Sequence, residues 1–319
     1  IVQRIRKSVF PNPEVIMQNM RVLTDHCHAK LEAEAEGADR IWQLPKIIQT
    51  KAGEDWVTDA QGDLWRAISQ IASANAFDRV QNPEHAYEVG VVLGHFHRMV
   101  SDLPPERLGY ALPGFHVTPG YLAKMDAALA TPEGQERVEA SLETKRAVRF
   151  VEARRERCQV LQQALARGDL TLRTTHGDPK VGNIMVDEAT GRGTCIVDLD
   201  TVQPGLVHYD IGDATRSACN PAGEDAPELA SVIFDLDLFT TIYRGYQSHA
   251  KDFLSPADHR HLFDCIHLIP LELGIRFLAD HLAGDVYFKV RYPGHNLRRA
   301  LVQFKLAESI ETREAAIRK

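Results

Sequence analysis

The stretch Thr175-His176-Gly177-Asp178-Pro179-Lys180-Val181-Gly182-Asn183, followed by Cys195-Ile196-Val197-Asp198-Leu199-Asp200, decides how this chain is read. Asp178 follows His176 by two positions, Asn183 follows Asp178 by five, and Asp198 ends the apolar run Cys195-Ile196-Val197. Moving a phosphoryl group from a nucleotide to an alcohol needs a carboxylate beside the attacking hydroxyl. It also needs hard oxygen ligands that hold Mg²⁺ against the phosphates. The order HxD, then N, then D delivers those groups from a loop and an adjoining strand. In this reading Asp178 is the catalytic base, Asn183 and Asp198 hold Mg²⁺, and Lys180 reaches the γ-phosphate of ATP. Asp200, two positions beyond Asp198, is a further oxygen ligand if the strand continues. His176 is read as holding the loop by a hydrogen bond, and Asp210 as a capping or bracing group behind it.

Working outward, the expected fold class is α+β: a small antiparallel sheet and a large, mainly helical part. Ile1 to Ile5 alternates as a half-buried strand, carrying Arg4 where a cation would meet the α- and β-phosphates. Glu14 to Leu31 then recurs at helical spacing, and the segments 46–50, 55–59 and 64–71 read as an antiparallel meander. Small residues between Ser69 and Asp78 mark a hinge, so residues 1–78 are expected to form an N-terminal lobe on the nucleotide side. Residues 79–319 form a helical lobe with the catalytic loop and metal site. Helices are expected at 84–101, 121–130, 136–167, 227–249, 256–283 and 296–317, with strands at 171–175, 184–186 and 194–197. The loop 104–119, with its four prolines, is long enough to be functional.

The 319 residues, 44% hydrophobic and 25% charged, suit a folded chain with a full core. A formal charge of -7 opposes a nucleic-acid footprint, and the basic cluster from Arg146 to Arg157 is interleaved with Glu152 and Glu156. No apolar run is long enough to cross a bilayer. The five cysteines are scattered without a CxxC pair, which favours reduced thiols and a cytoplasmic setting over disulfides or zinc. The chain opens at Ile1 without an initiator Met, the expectation being that its true start lies upstream.

These residues resemble the aminoglycoside phosphotransferase and choline kinase superfamily, and within it the N-acetylhexosamine 1-kinases. The resemblance runs nearly end to end. It rests on Ile1-Val2-Gln3-Arg4-Ile5 with Val9-Phe10-Pro11-Asn12-Pro13, on His176 to Asn183, on Val197 to Gly205, and on Gly284-Asp285-Val286-Tyr287-Phe288-Lys289. It implies a two-lobed protein-kinase-like fold, with ATP and Mg²⁺ between the lobes. The implied reaction phosphorylates the anomeric hydroxyl of N-acetylglucosamine or N-acetylgalactosamine. Arg276 and Tyr287 look like the family's sugar-contacting pair, the first offering a fork of donors and the second a ring face and a hydroxyl. Two departures stand out. The glycine-rich hairpin that would cover the phosphates does not precede the first strand, and Gly177 stands where a residue with a side chain is expected.

The other readings are an aminoglycoside, choline or amino-alcohol kinase on the same scaffold, and a non-catalytic sugar or nucleotide sensor. Cationic acceptors call for an acidic, aromatic-lined pocket. Arg276, Lys289, Arg291, Arg298 and Arg299 near the expected pocket suit a neutral sugar better. The expected partners are therefore ATP and a small sugar, with no nucleic acid or membrane, in a monomer or weak dimer.

Overall fold

A computed structural model describes residues 1–7, 9–34, 40–250 and 253–319. In chain order it runs β1 (Val2–Ile5), α1 (Pro13–Glu34), β2 (Ile47–Ile48), β3 (Val57–Thr58), β4 (Leu64–Ile68), β5 (Ala74–Ala76) and α2 (Pro83–Met99). Helices α3 (Thr118–Leu129), α4 (Pro132–Ala140), α5 (Leu142–Glu152) and α6 (Val160–Ala166) follow. Next come β6 (Arg173–Thr175), β7 (Ile184–Asp187), β8 (Gly193–Ile196) and β9 (Gln203–Gly205). The remainder is α7 (Val207–Ala218), α8 (Leu236–Ala250), α9 (Pro256–Arg260), α10 (Leu262–Leu282), α11 (His295–Glu311) and α12 (Glu314–Ile317). Two compact units result: Ile1–Pro113 with Leu172–Asp210 and Thr240–Ser255, and Gly114–Thr171 with Ile211–Phe239 and Pro256–Lys319.

In the first unit, β4 is the centre of an antiparallel sheet, pairing with β1, β2 and β3, with Arg4 opposite Trp65. Helix α1 forms where the sequence places apolar residues at helical spacing, and Ile16, Met17, Met20 and Leu23 are all buried. The expected hinge segment contains a strand that its small residues do not announce. Ala74–Ala76 pairs with β7, which in turn pairs with β8. Alanine and asparagine are poor strand formers, so β5 exists because β7 offers it an edge. Helices α2 and α8 approach backbone to backbone: a Cβ on Gly90 would lie 1.9 Å from Ile242 O, and one on Gly245 2.1 Å from Tyr87 O. Only glycine permits that crossing, which sets the ring of Tyr246 against His97.

In the second unit α10 packs along α3 and α11, burying Met125, Ile275, Phe277, Leu278, Ala300 and Phe304. Several helices are shorter than expected. The single helix read over 136–167 is divided because Ser141 adopts an extended conformation and its Oγ accepts from Thr144 N (3.1 Å), capping α5. The helix read from Pro227 begins only at Leu236, where Asp235 Oδ1 accepts from the backbone N–H of Asp237 and Leu238. The helix read over 256–283 is two, interrupted at His261. In each case a local side-chain acceptor or a non-helical residue competes with the apolar period.

Candidate active site

The sequence-predicted residues His176, Asp178, Lys180, Asn183, Asp198, Asp200 and Asp210, together with Arg4, lie in the first unit, while Arg276 and Tyr287 lie in the second. The loop from His176 to Asn183 leaves β6 and enters β7 through a turn at Val181–Asn183. Gly177 has φ +86°, and a Cβ there would sit 2.8 Å from Thr201 O, which is why this position carries no side chain.

Asp210 organises the loop from behind. Its carboxylate is fully buried and accepts from His176 N (Oδ2, 2.7 Å), Gly177 N (Oδ1, 2.8 Å) and His97 Nε2 (Oδ2, 2.9 Å). Burial works to raise this carboxyl, but the hydrogen bond and charge interaction with His97 and the donors around His176 hold it below the usual carboxylate range. His97 Nδ1 meets the Tyr246 hydroxyl at 2.9 Å, so a polar chain runs from α8 through α2 to the loop. His176 itself binds backbone on both sides: Nε2 donates to Val197 O (3.0 Å), leaving Nδ1 to accept from Asp178 N (3.3 Å). Both ring nitrogens are thus engaged in holding the loop against β8.

Asp178 faces Lys180, whose Nζ contacts Asp178 Oδ2, and Asn183, whose Nδ2 donates to Asp178 O (2.7 Å) and Oδ2 (3.2 Å). Because the amide nitrogen of Asn183 is committed to Asp178, its oxygen is the end left to act as an acceptor. Across the β7–β8 hairpin Val197 N donates to Asn183 O (2.9 Å), which places Asn183 and Asp198 at the same end of the ladder. Asp198 is exposed and left-handed, with φ +66°, a conformation that turns the chain out of β8. A neutral and an anionic oxygen donor carried at one hairpin end are of the chemical type that Mg²⁺, a hard cation that takes few protein ligands, would accept.

Asp200 and Arg4 each hold an ion-pair partner. Asp200 Oδ1 meets Arg66 Nη2 at 2.5 Å, and Arg66, 5% exposed on β4, also donates to Gln3 Oε1 through Nε (3.1 Å) and Nη2 (2.9 Å). Burial raises the Asp200 carboxyl while Arg66 opposes that rise. Arg4 is half-exposed and pairs with Asp63 (3.0 Å). In the second unit the Arg276 guanidinium lies over three rings, those of Tyr121 (4.9 Å), Phe115 (5.3 Å) and Phe288 (5.6 Å). Burial pushes the Tyr121 phenol up to about 12, so it remains a hydrogen-bond donor at neutral pH. Tyr287 is 57% exposed. Sequence reasoning missed Arg66, His97 and the rings of Phe115 and Tyr121. The Phe115 position lay within the proline-rich loop flagged for its length, whereas nothing local distinguishes Arg66 or His97.

Comparison with known proteins gives this geometry a context. The model of the phosphotransferase enzyme family (APH) matches residues 27–243. Among solved structures, an aminoglycoside phosphotransferase from Alicyclobacillus acidocaldarius superposes with a TM-score of 0.59 at 13% identity, covering 99% of this chain and 85% of the other. Spectinomycin phosphotransferase, solved with ADP and spectinomycin, gives 0.56 at 14%, covering 94% and 83%. A microcompartment-associated aminopropanol kinase gives 0.55 at 16%, covering 93% and 82%. The fold, a small antiparallel sheet with a mainly helical remainder, is therefore the kinase-like one these structures share. With the family model spanning two thirds of its length and the whole Asp178 loop, the chain belongs to the phosphotransferase enzyme family.

Proposed function

We propose that this protein is an ATP-dependent small-molecule kinase that phosphorylates the anomeric hydroxyl of an N-acetylhexosamine, releasing the sugar 1-phosphate and ADP. The observation that carries the kinase reading is the grouping of Asp178 with Lys180 and Asn183, beside the hairpin end that holds Asp198. Asp178 orients the acceptor hydroxyl and takes its proton as the new O–P bond forms and the bond between the β-γ bridging oxygen and the γ-phosphorus breaks. Lys180 pairs with Asp178 before the transfer and offers its ammonium to the γ-phosphate during it. Asn183 and Asp198 would hold Mg²⁺, whose charge offsets that gathering on the transferred group. Asp210 and His176 position the loop. Arg4 is assigned to the α- and β-phosphates, exchanging Asp63 for them. Asp200, tied to Arg66, braces the turn after Asp198. In domain terms, residues 1–78 are assigned to nucleotide binding and 79–319 to catalysis and the acceptor.

For the acceptor, the support is the cluster of aromatic rings that Arg276 meets, together with the resemblance that assigns Arg276 and Tyr287 to the sugar; the nearby carboxylate of Glu272 is held by His116 and Thr118. A guanidinium stacked on aromatic faces repels a polycation and suits neutral hydroxyl and amide oxygens. The kinship of fold with an aminopropanol kinase and a spectinomycin phosphotransferase favours a second reading, an amino-alcohol or aminocyclitol acceptor. An acceptor panel with radiolabelled ATP and Mg²⁺ separates them: N-acetylglucosamine, N-acetylgalactosamine, aminopropanol, ethanolamine and spectinomycin. The sugar reading requires label on an N-acetylhexosamine with loss of its reducing end; label on any other hydroxyl refutes it. Asp178→Ala is expected to lower turnover by roughly three orders of magnitude or more with nucleotide affinity retained. Equal turnover would refute the kinase reading itself.

A further inference from the structure

Asp280 sits in the last turn of α10, where the carbonyl ends of the helix dipole oppose a negative charge, and it is only 6% exposed. A buried carboxylate in that position must be repaid by donors. The structure supplies them from the segment that follows. Gly284 turns the chain with φ +97°, Asp285 N donates back to Asp280 O (2.8 Å), and Asp285 is itself left-handed at φ +60°. The reversed chain then presents three consecutive backbone N–H groups to the Asp280 side chain: Val286 N (Oδ1, 3.0 Å), Tyr287 N (Oδ1, 2.8 Å) and Phe288 N (Oδ2, 2.9 Å). Asn296 Nδ2 closes the arrangement from α11, donating to Asp280 Oδ2 and to Asp285 Oδ1, both at 2.8 Å.

The consequence is that an otherwise exposed segment is fixed at its backbone. Tyr287 has 57% of its surface in solvent and little packing to restrain it, yet its ring stands edge-on to Phe288 (4.8 Å), which packs on Phe277 (4.6 Å) and under Arg276 (5.6 Å). We propose that Asp280 is the positioning residue of the acceptor pocket, gathering the N–H groups of residues 286–288 so that Tyr287 is held ready beside Arg276. This rests on the assignment of Tyr287 to the acceptor site made above.

Asp280→Asn tests it. An amide keeps one oxygen but turns an NH₂ group toward donors that need an acceptor. The variant is expected to raise the KM for N-acetylglucosamine about tenfold, a loss typical of one disrupted recognition contact, with the KM for ATP unchanged. In a Tyr287→Ala background the same substitution should have no further effect on that KM, since it acts through Tyr287. The milder Asn296→Ala should shift the KM in the same direction by a smaller factor, with the same dependence on Tyr287, and covers the case in which Asp280→Asn does not fold. Equal losses in both backgrounds, or a parallel rise in the KM for ATP, overturn the proposal and leave Asp280 a purely structural group. Hydrogen exchange supplies the independent readout: the amides of 286–288 should lose protection in Asp280→Asn while the middle of α10 keeps it. Lost protection with a sugar KM indifferent to Tyr287→Ala overturns the placement of Tyr287 at the acceptor, and unchanged protection overturns the clamp.

Discussion

Replacing Asp210 by Asn exchanges one carboxylate oxygen for an NH₂ group and leaves one buried donor facing another. The best orientation of the new amide keeps its oxygen where Oδ2 serves His176 N and His97 Nε2, and sets its NH₂ against Gly177 N, 2.8 Å away. A hydrogen bond to a charged acceptor, about 1.5–3 kcal/mol, is lost, and an N–H is orphaned at a further ~1–3 kcal/mol. The sum, about 4 kcal/mol, is a large share of the ~5–15 kcal/mol that holds a domain folded. In a unit of this size it corresponds to a fall in melting temperature on the order of 10 °C. The strain falls on the peptide before Asp178, so turnover is expected to drop about 100-fold, the scale of a 1 Å misplacement of a reacting group. Calorimetry and steady-state kinetics on the same preparation measure both. A melting temperature within about 2 °C of the parent together with an unchanged kcat would refute the reasoning, because it would mean that Gly177 and His176 do not depend on this carboxylate.

Gly177→Ala is expected to fail in a different manner: at φ +86° a side chain is strained, and its Cβ would press on Thr201 O at 2.8 Å. Turnover should fall while nucleotide affinity, measured by titration calorimetry, is retained; a fully active Ala variant would show that the loop is not held as described. In the second unit, Glu311 accepts from His267 Nε2 (2.8 Å) and from Arg154 Nε and Nη2 (both 2.7 Å). Burial favours the neutral acid, but His267 and Arg154 outweigh it and hold the carboxyl at about 2, below its ordinary 4.5. A carboxyl depressed on folding stabilises above its unfolded value, and that contribution drains away as the pH falls from about 4.5 through about 2. Denaturant unfolding at pH 7, 4 and 3 should show Glu311→Gln less stable at neutrality and less sensitive across the acid window. Parallel pH profiles for the two proteins would refute the assignment.

The helices and strands near the Asp178 loop were legible because their signals are local. The period of Ile16, Met17, Met20 and Leu23 is visible within α1, and the β7–β8 hairpin turns where Asp187 Oδ1 accepts from Ala189 N and Thr190 N. Where the reading overran, as over 136–167, an apolar period continued past a residue that preferred to cap. Ser141 decided that boundary with one hydrogen bond, an energy too small to register in the pattern of hydrophobic residues.

By itself the sequence determined how the groups of the proposed site are brought together: the intervals between His176, Asp178 and Asn183 confine those groups to one loop, and the run into Asp198 leads to the same hairpin end. Short-range geometry suffices there, because a few residues of backbone cannot carry the side chains far apart. Only the tertiary structure decided which distant partners complete the site. Asp210 takes its donors from 33 and 34 positions earlier, and Asp200 its counter-ion from β4. Asp280 takes its donors from the segment beyond a left-handed turn. Each of these is a buried charge that must be neutralised wherever the folded chain happens to bring a donor, and no local pattern of residues records where that will be.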